Sequence, residues 1–154
     1  MPLNGIPFII SPDLLHTLSS AGHGDEIVLA DAHFPTSSVC RGGCKEIRAD
    51  GCHNIPDLLD AILKLYPLDP YVPHPATVMR VVPNDPLLMS GQDPPIWQRY
   101  IEIIKKYYAS DDVGHLDRFD FYDQARKSFA VVATGEVAQY GNIIIKKGIV
   151  KLES

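Results

Sequence analysis

Gly22-His23-Gly24-Asp25-Glu26-Ile27-Val28-Leu29-Ala30-Asp31 is the stretch on which the architecture turns. Its second half has an unbroken apolar centre, Ile27 to Ala30, between acidic ends. A strand with one wet face alternates apolar and polar residues, whereas a continuous run reads as a strand covered on both faces by helices. Just upstream, Ser11-Pro12-Asp13 is a helix start, with a hydroxyl cap, a proline at the first helical position and an acid in the first turn. Leu14, Leu15, Leu18 and Ala21 then share one face, and Gly22 is a natural stop. A helix therefore leads through a histidine flanked by glycines into a buried strand.

The same alternation continues downstream. A second helix is expected from Pro56 to Tyr66, with Leu58, Leu59, Ile62, Leu63 and Tyr66 turned inward. Thr77 to Val82 reads as a strand and Pro83 to Pro95 as a long connection. Pro95 to Tyr108 reads as an amphipathic helix carrying Trp97, Tyr100, Ile101, Ile104 and Tyr107. Strands are expected at Leu116–Asp120, Ala130–Thr134, Asn142–Lys146 and Ile149–Leu152, with a short helix over Tyr122–Phe129. The turn Lys146-Lys147-Gly148 between two apolar runs predicts an antiparallel pair. Together these elements predict an α/β fold whose central sheet is mixed.

The 154 residues suit one domain spanning 1–154, and 45% hydrophobic with 21% charged residues is the balance of a folded globular chain. A net charge of −5 without a Lys/Arg cluster lacks the footprint needed for nucleic acid or an anionic membrane. No apolar stretch approaches the length of a membrane span, and the start of the chain has no basic, signal-like segment. Three cysteines, all between Cys40 and Cys52, argue against a disulfide framework and for a reducing compartment, so a cytoplasmic protein is expected.

Chemistry is expected at three places. Glycines on both sides of His23 leave its imidazole uncovered, and histidine as a residue type passes protons both ways near neutral pH. Asp31 ends the buried strand, at the sheet edge where α/β folds gather ligands. Tyr140-Gly141-Asn142 offers an aromatic face, a hydroxyl and an amide that both donates and accepts, a combination that suits sugar hydroxyls. Arg118, Asp120 and Tyr122 extend the same chemistry. Taken singly, each has a plainer reading: a helix stop, a turn cap, a turn before a strand, an exposed strand face.

In order and wording, however, these segments resemble one family. Ser11-Pro12-Asp13-Leu14-Leu15, Gly22-His23-Gly24-Asp25-Glu26-Ile27 and Ala30-Asp31-Ala32-His33-Phe34-Pro35 are similar to the N-terminal half of the L-fucose mutarotases. The likeness continues through Ile47-Arg48-Ala49-Asp50-Gly51, Pro67-Leu68-Asp69, Arg118-Phe119-Asp120-Phe121-Tyr122, Ala130 to Glu136 and Tyr140-Gly141-Asn142-Ile143. It is weakest between Pro83 and Gly114, and the chain departs from the family pattern at Val39–Lys45 and Tyr107–His115. Ribose pyranases share the Gly-His and Asp-Ala motifs but resemble the rest less.

The resemblance implies a three-layer α/β/α domain with a mixed sheet, acting as an isomerase on a free monosaccharide, L-fucose above all. His23 would be the catalytic proton donor and Asp31 would bind the sugar. Arg118, Tyr122, Tyr140 and Asn142 fall at positions that contact or flank it, with Asp69 and Met79 as further substrate-binding candidates. It also implies a homo-oligomer with sites close to subunit contacts, and neither a metal nor an organic cofactor.

Other classes fit less well. Cys40, Cys44, Cys52 and His53 are zinc-ligand types, but their spacing matches no standard site. Gly22-His23-Gly24 follows a helix and precedes a strand, the reverse of a phosphate-binding glycine loop. A sugar-binding protein of the same fold without catalysis remains the main alternative, and ribose the main alternative substrate.

Overall fold

A computed structural model describes residues 2–86, 88, 92–109 and 112–152. Residues 87 and 89–91 of the expected Pro83–Pro95 connection, and 110–111 of the Tyr107–His115 stretch, lie outside the described residues. Five α-helices and six strands follow one another: α1 (Pro12–Ser20), β1 (Glu26–Ala30), α2 (Thr36–Val39), β2 (Lys45–Ala49), α3 (Ile55–Leu63), β3 (Ala76–Met79), α4 (Pro95–Ile104), β4 (Gly114–Leu116), α5 (Arg118–Arg126), β5 (Ala130–Thr134) and β6 (Ile143–Lys146). A 3-10 turn, Cys40–Gly42, links α2 towards β2.

The strands form one sheet in the order β2-β5-β1-β6-β3-β4. β1 lies parallel to β5, β5 to β2 and β3 to β4, while β6 runs antiparallel to both β1 and β3. Five strands thus share one direction and β6 alone opposes them. In register, Val28 sits opposite Val131 on one side and Ile144 on the other.

Alternate residues of these buried strands feed two cores. Ile27, Leu29, Val132, Ile143 and Ile145 pack with Leu14 and Leu18 of α1, Leu58 and Ile62 of α3, and Trp97, Tyr100 and Ile104 of α4. Val28, Ala30, Val131, Ile144 and Met79 pack on the opposite face with Phe34, Val39 of α2, and Phe121 and Ala125 of α5. The result is the expected three-layer α/β/α arrangement. Among the described residues, no helix is long and apolar enough to cross a membrane.

Local chemistry sets the helix ends. Ser11 Oγ accepts the Leu14 N–H at 3.1 Å, and Asn54 Oδ1 accepts that of Asp57 at 3.1 Å. α1 ends when Ala21 turns extended (ψ 139°), and Lys147 Nζ donates to the Leu18 and Ala21 carbonyls, replacing the expected glycine stop. The left-handed backbone falls two residues after Gly22, at Gly24 (φ +86°).

Three expectations need correction. Leu116–Asp120 is not a strand: β4 stops at Leu116 and α5 starts at Arg118, two turns' worth of which put Phe121 and Ala125 inward at i, i+4 spacing and leave Phe119 exposed. The alternation of Phe119 and Phe121 imitates a strand pattern that helical packing overrides. Ile149–Leu152 forms no strand either, because both sides of β6 are already occupied by β1 and β3. For the same reason the antiparallel pairing that makes the sheet mixed comes from β6 with β1 and β3, and Lys147-Gly148 instead packs against Leu68.

Candidate functional site

Because β6 alone is reversed, the carboxyl ends of the other five strands and the amino end of β6 share one edge of the sheet. In open α/β sheets ligands bind beyond the carboxyl ends of the strands. At this edge a cleft of about 380 Å³ is lined by Asp31, His33, Phe34, Met79, Asp85, Arg118, Tyr122, Gln139, Tyr140 and Asn142. Six of the eight expected site residues meet here: Asp31, Met79, Arg118, Tyr122, Tyr140 and Asn142. Its volume lies in the range of small-ligand pockets.

Asp31 directly follows β1 and Asn142 directly precedes β6, so the antiparallel pairing of those strands brings the two together. The Asp31 N–H donates to Asn142 Oδ1 at 2.7 Å, and both residues are buried. With Oδ1 committed, Asn142 offers a ligand its Nδ2 donor. Asp31 Oδ1 accepts the His33 N–H at 3.0 Å. Burial raises the Asp31 carboxyl above its ordinary range, and the hydrogen bonds from the His33, Phe34 and Gly141 backbones only partly oppose this. A carboxylate short of solvation is a strong acceptor for hydroxyl groups.

The aromatic wall is built by packing across the edge. Phe34 meets Tyr122 edge-on at 5.5 Å and Phe121 at 6.0 Å. The Arg118 guanidinium lies 5.6 Å from the Tyr122 ring centre, one turn along α5, with Nε 3.4 Å from the Tyr122 hydroxyl. Tyr140 is held in the left-handed region (φ +56°), rare for a bulky residue. Its carbonyl accepts the indole N–H of Trp97 at 3.0 Å, while the next carbonyl, that of Gly141, accepts the Tyr100 hydroxyl.

His23 and Asp69 lie elsewhere. His23 precedes β1, and five strand residues at about 3.3 Å each put the opposite ends of β1 about 17 Å apart. His23 Nε2 is 3.1 Å from Asp69 Oδ1. The imidazole side chain is 46% exposed and the carboxylate 5%, so the dyad shows its histidine to solvent and keeps its acid beneath. Burial would raise the Asp69 carboxyl, but the Tyr71 N–H and His23 outweigh it and hold it below the ordinary range. The loop is clamped: Gly24 N–H donates to the Lys147 carbonyl, Lys147 N–H to the Asp25 carbonyl, and Gly22 N–H to Asp25 Oδ2 at 2.7 Å. With Nε2 turned to Asp69, Nδ1 is the nitrogen placed to handle an external proton.

Sequence reading passed over His33, Phe34, Asp85 and Gln139. His33 and Phe34 flank Asp31 in a stretch read as a turn, so proximity to that acid was the available signal. Asp85 sits in the long proline-rich connection, where nothing in the sequence marks it. A larger cavity, about 430 Å³ beside Arg48, Cys52 and His53, holds none of the expected residues. Cys40 and Cys44 lie with their sulfurs 3.1 Å apart, while Cys52 Sγ faces the Asn54 carbonyl and His53 Nδ1 that of Gly135. The four do not converge, and no group of three or more metal-ligand side chains occurs among the described residues.

A three-layer α/β/α domain with a cleft beyond its strand ends, in which a desolvated carboxylate and an amide stand among aromatic and apolar walls, defines a binder of small polyhydroxylated molecules. The chain belongs to the RbsD / FucU transport protein family, whose profile matches residues 4–150. It is 55% identical over 151 residues to a fucose mutarotase of Danio rerio, covering 98% of this chain and 96% of the relative. Among solved structures it is similar to the Streptococcus pneumoniae fucose mutarotase in complex with L-fucose, with a TM-score of 0.84, 48% identity, and 97% of this chain and all of the other covered. FucU from Bifidobacterium longum matches with a TM-score of 0.88 and 43% identity, covering 96% of this chain and all of the other.

Proposed function

We propose that this chain is an L-fucose mutarotase, an isomerase that interconverts the α and β anomers of the free sugar. The observation that carries the reading is the cleft at the sheet edge, where Asp31, Arg118, Tyr122, Tyr140 and Asn142 line one small-ligand volume, in a chain about half identical to a relative solved with L-fucose.

Mutarotation asks for little chemistry. The ring oxygen gains a proton, the anomeric hydroxyl loses one, the C1–O5 bond opens to an aldehyde, and C1 turns before the ring closes on its other face. Positioned acid–base groups each give about 10²- to 10⁴-fold. In this reading Asp31 and Asn142 fix ring hydroxyls, Tyr122 and Tyr140 stack on the sugar or meet its hydroxyls, Arg118 holds a hydroxyl or orients Asp31, and Met79 shapes the floor. His23 is the proton donor, and Asp69 orients its ring.

One chain keeps His23 and the cleft at opposite edges of its sheet. The working unit is therefore a homo-oligomer in which His23 of one copy faces a sugar held in the cleft of another. A cytoplasmic location fits three cysteines that form no disulfide.

NMR exchange spectroscopy on L-fucose at anomeric equilibrium tests the reading, with D-ribose and D-galactose as comparators. Saturation should pass between the α and β anomeric protons of fucose far faster with protein than without. Exchange at the buffer rate for every sugar would leave a sugar-binding protein without catalysis.

A further inference from the structure

Among the described residues of the Pro83–Pro95 connection, the stretch least informative in sequence, Asp85 reaches into the cleft. The Tyr140 hydroxyl donates to Asp85 Oδ2 in a short hydrogen bond. The Tyr140 hydroxyl oxygen also accepts the Val82 N–H at 3.2 Å. Asp85 lines both the cleft and an adjoining cavity of about 300 Å³ beneath the connection, so it forms part of the wall between them. Tyr140 itself is fixed in a strained left-handed conformation by Trp97 below it, and strain of this kind collects where a side chain must be aimed.

We propose that Asp85 is a positioning residue for the reaction, acting through Tyr140 as the acceptor that lets the phenol take the anomeric proton. This rests on the mutarotase reading. The phenol's own proton is already directed at Asp85 and the Val82 N–H takes one lone pair of the oxygen, which leaves the other to accept from a sugar hydroxyl. As the anomeric O–H proton moves to Tyr140 Oη, the phenolic proton moves to Asp85 Oδ2. The C1–O5 bond breaks, and O5 takes its proton from protonated His23 of the neighbouring copy. The outcome is the open-chain aldehyde, neutral Tyr140, a protonated Asp85 and neutral His23. Closure on the other face returns every proton by the reverse route. Burial, and then the bond to Asp85, raise the Tyr140 phenol above its ordinary range, so it enters the cycle protonated.

The contact also has a plainer meaning, a strap fastening the connection to the cleft, and the two differ in what an amide does. In Asp85→Asn the amide oxygen can still accept the Tyr140 hydroxyl, so a strap survives, but it cannot take up the proton. Steady-state anomeric exchange of L-fucose should show kcat down about 10²-fold, the low end for a lost acid–base group, with KM within about twofold. Asp85→Glu should recover part of the loss. Asp85→Asn combined with Tyr140→Phe should be no slower than Tyr140→Phe alone, because the two act in series. The solvent deuterium isotope effect on kcat should fall in Asp85→Asn. Asp93→Asn, on the same connection but outside the cleft, should behave as wild type. Wild-type kcat in Asp85→Asn, a rise in KM alone, or losses that multiply in the double variant would overturn the proposal. A wild-type protein that does not accelerate exchange would instead sink the mutarotase reading and this inference with it.

Discussion

The two edges of the sheet differ in what they hold and in how they hold it. At the carboxyl edge, Asp31, Tyr140 and Asn142 are buried or half-buried, and each side chain is tied to backbone N–H groups. At the amino edge, a buried acid presents a half-exposed imidazole to open solvent. The first edge has shape and hydrogen-bond direction, with His33 on its wall; the second holds His23 against its acid partner. β1 joins them, with His23 before it and Asp31 after it. The proposed function joins the two edges across neighbouring copies.

The strongest way to break the comparison is His23→Ala. On the proposed mechanism it lowers anomeric exchange about 10²- to 10⁴-fold while leaving fucose affinity, measured by titration calorimetry, nearly unchanged. Co-expressing His23→Ala with Asn142→Ala sharpens the point, since a site shared between copies regains activity when each chain supplies the intact half. No regain in mixed oligomers would place all the chemistry at one edge.

Next in size is Asn142→Ala alone. It leaves the buried Asp31 N–H without its acceptor, which costs about 1–3 kcal/mol, and it removes a hydroxyl donor. Urea unfolding should show the loss of stability and calorimetry the loss of affinity. An unchanged midpoint would mean that the bond to Asp31 is replaced by water.

At the other edge, Asp69→Asn keeps a hydrogen-bonding group beside His23 but removes the charge, and exchange should fall about tenfold, as for a lost orienting partner. Its stability signature has a definite sign. The folded carboxyl titrates below its ordinary value of 3.8, so its contribution is present above that pH and is lost as pH falls through the lower folded value. Wild type and variant should therefore converge in acid.

Asp31→Asn should show the opposite and smaller trend. Burial raises the folded carboxyl above 3.8, so ionisation opposes folding at neutral pH and that penalty disappears as pH falls to the unfolded value. The variant should melt slightly higher than wild type at pH 7, with the difference closing towards pH 4, although its activity is reduced. A lower melting temperature at pH 7 would mean that the charged form is better solvated than its burial suggests.

Much of this molecule could be read directly. Glu26–Ala30 and Ala130–Thr134 are apolar without interruption because both faces of the central strands are covered, and the structure places them within a residue of expectation. The edges were harder. β2 has Ile47 as its one buried residue among Lys45, Glu46 and Arg48, so a solvated outer strand resembles a loop. The chain at Val39–Lys45, where the sequence departs from the family pattern, holds the last residue of α2, the 3-10 segment Cys40–Gly42 and the first residue of β2. α5 was misread because its aromatic residues alternate, although Phe121 and Ala125 carry its packing. His23, Asp31, Tyr140 and Asn142 stood out by their neighbours, but only the family resemblance linked them.

Residue order alone determined the layered α/β architecture, because covering a strand on both faces and capping a helix are local demands written in adjacent residues. It could not determine the direction of β6, the one reversed strand that brings Asn142 to Asp31 and carries Lys147 to the opposite edge beside the His23 loop. Nor could it reveal that Asp85 meets Tyr140 across 55 positions of chain. Those relations depend on which strands become neighbours, and that is decided only when distant apolar segments compete to cover one another.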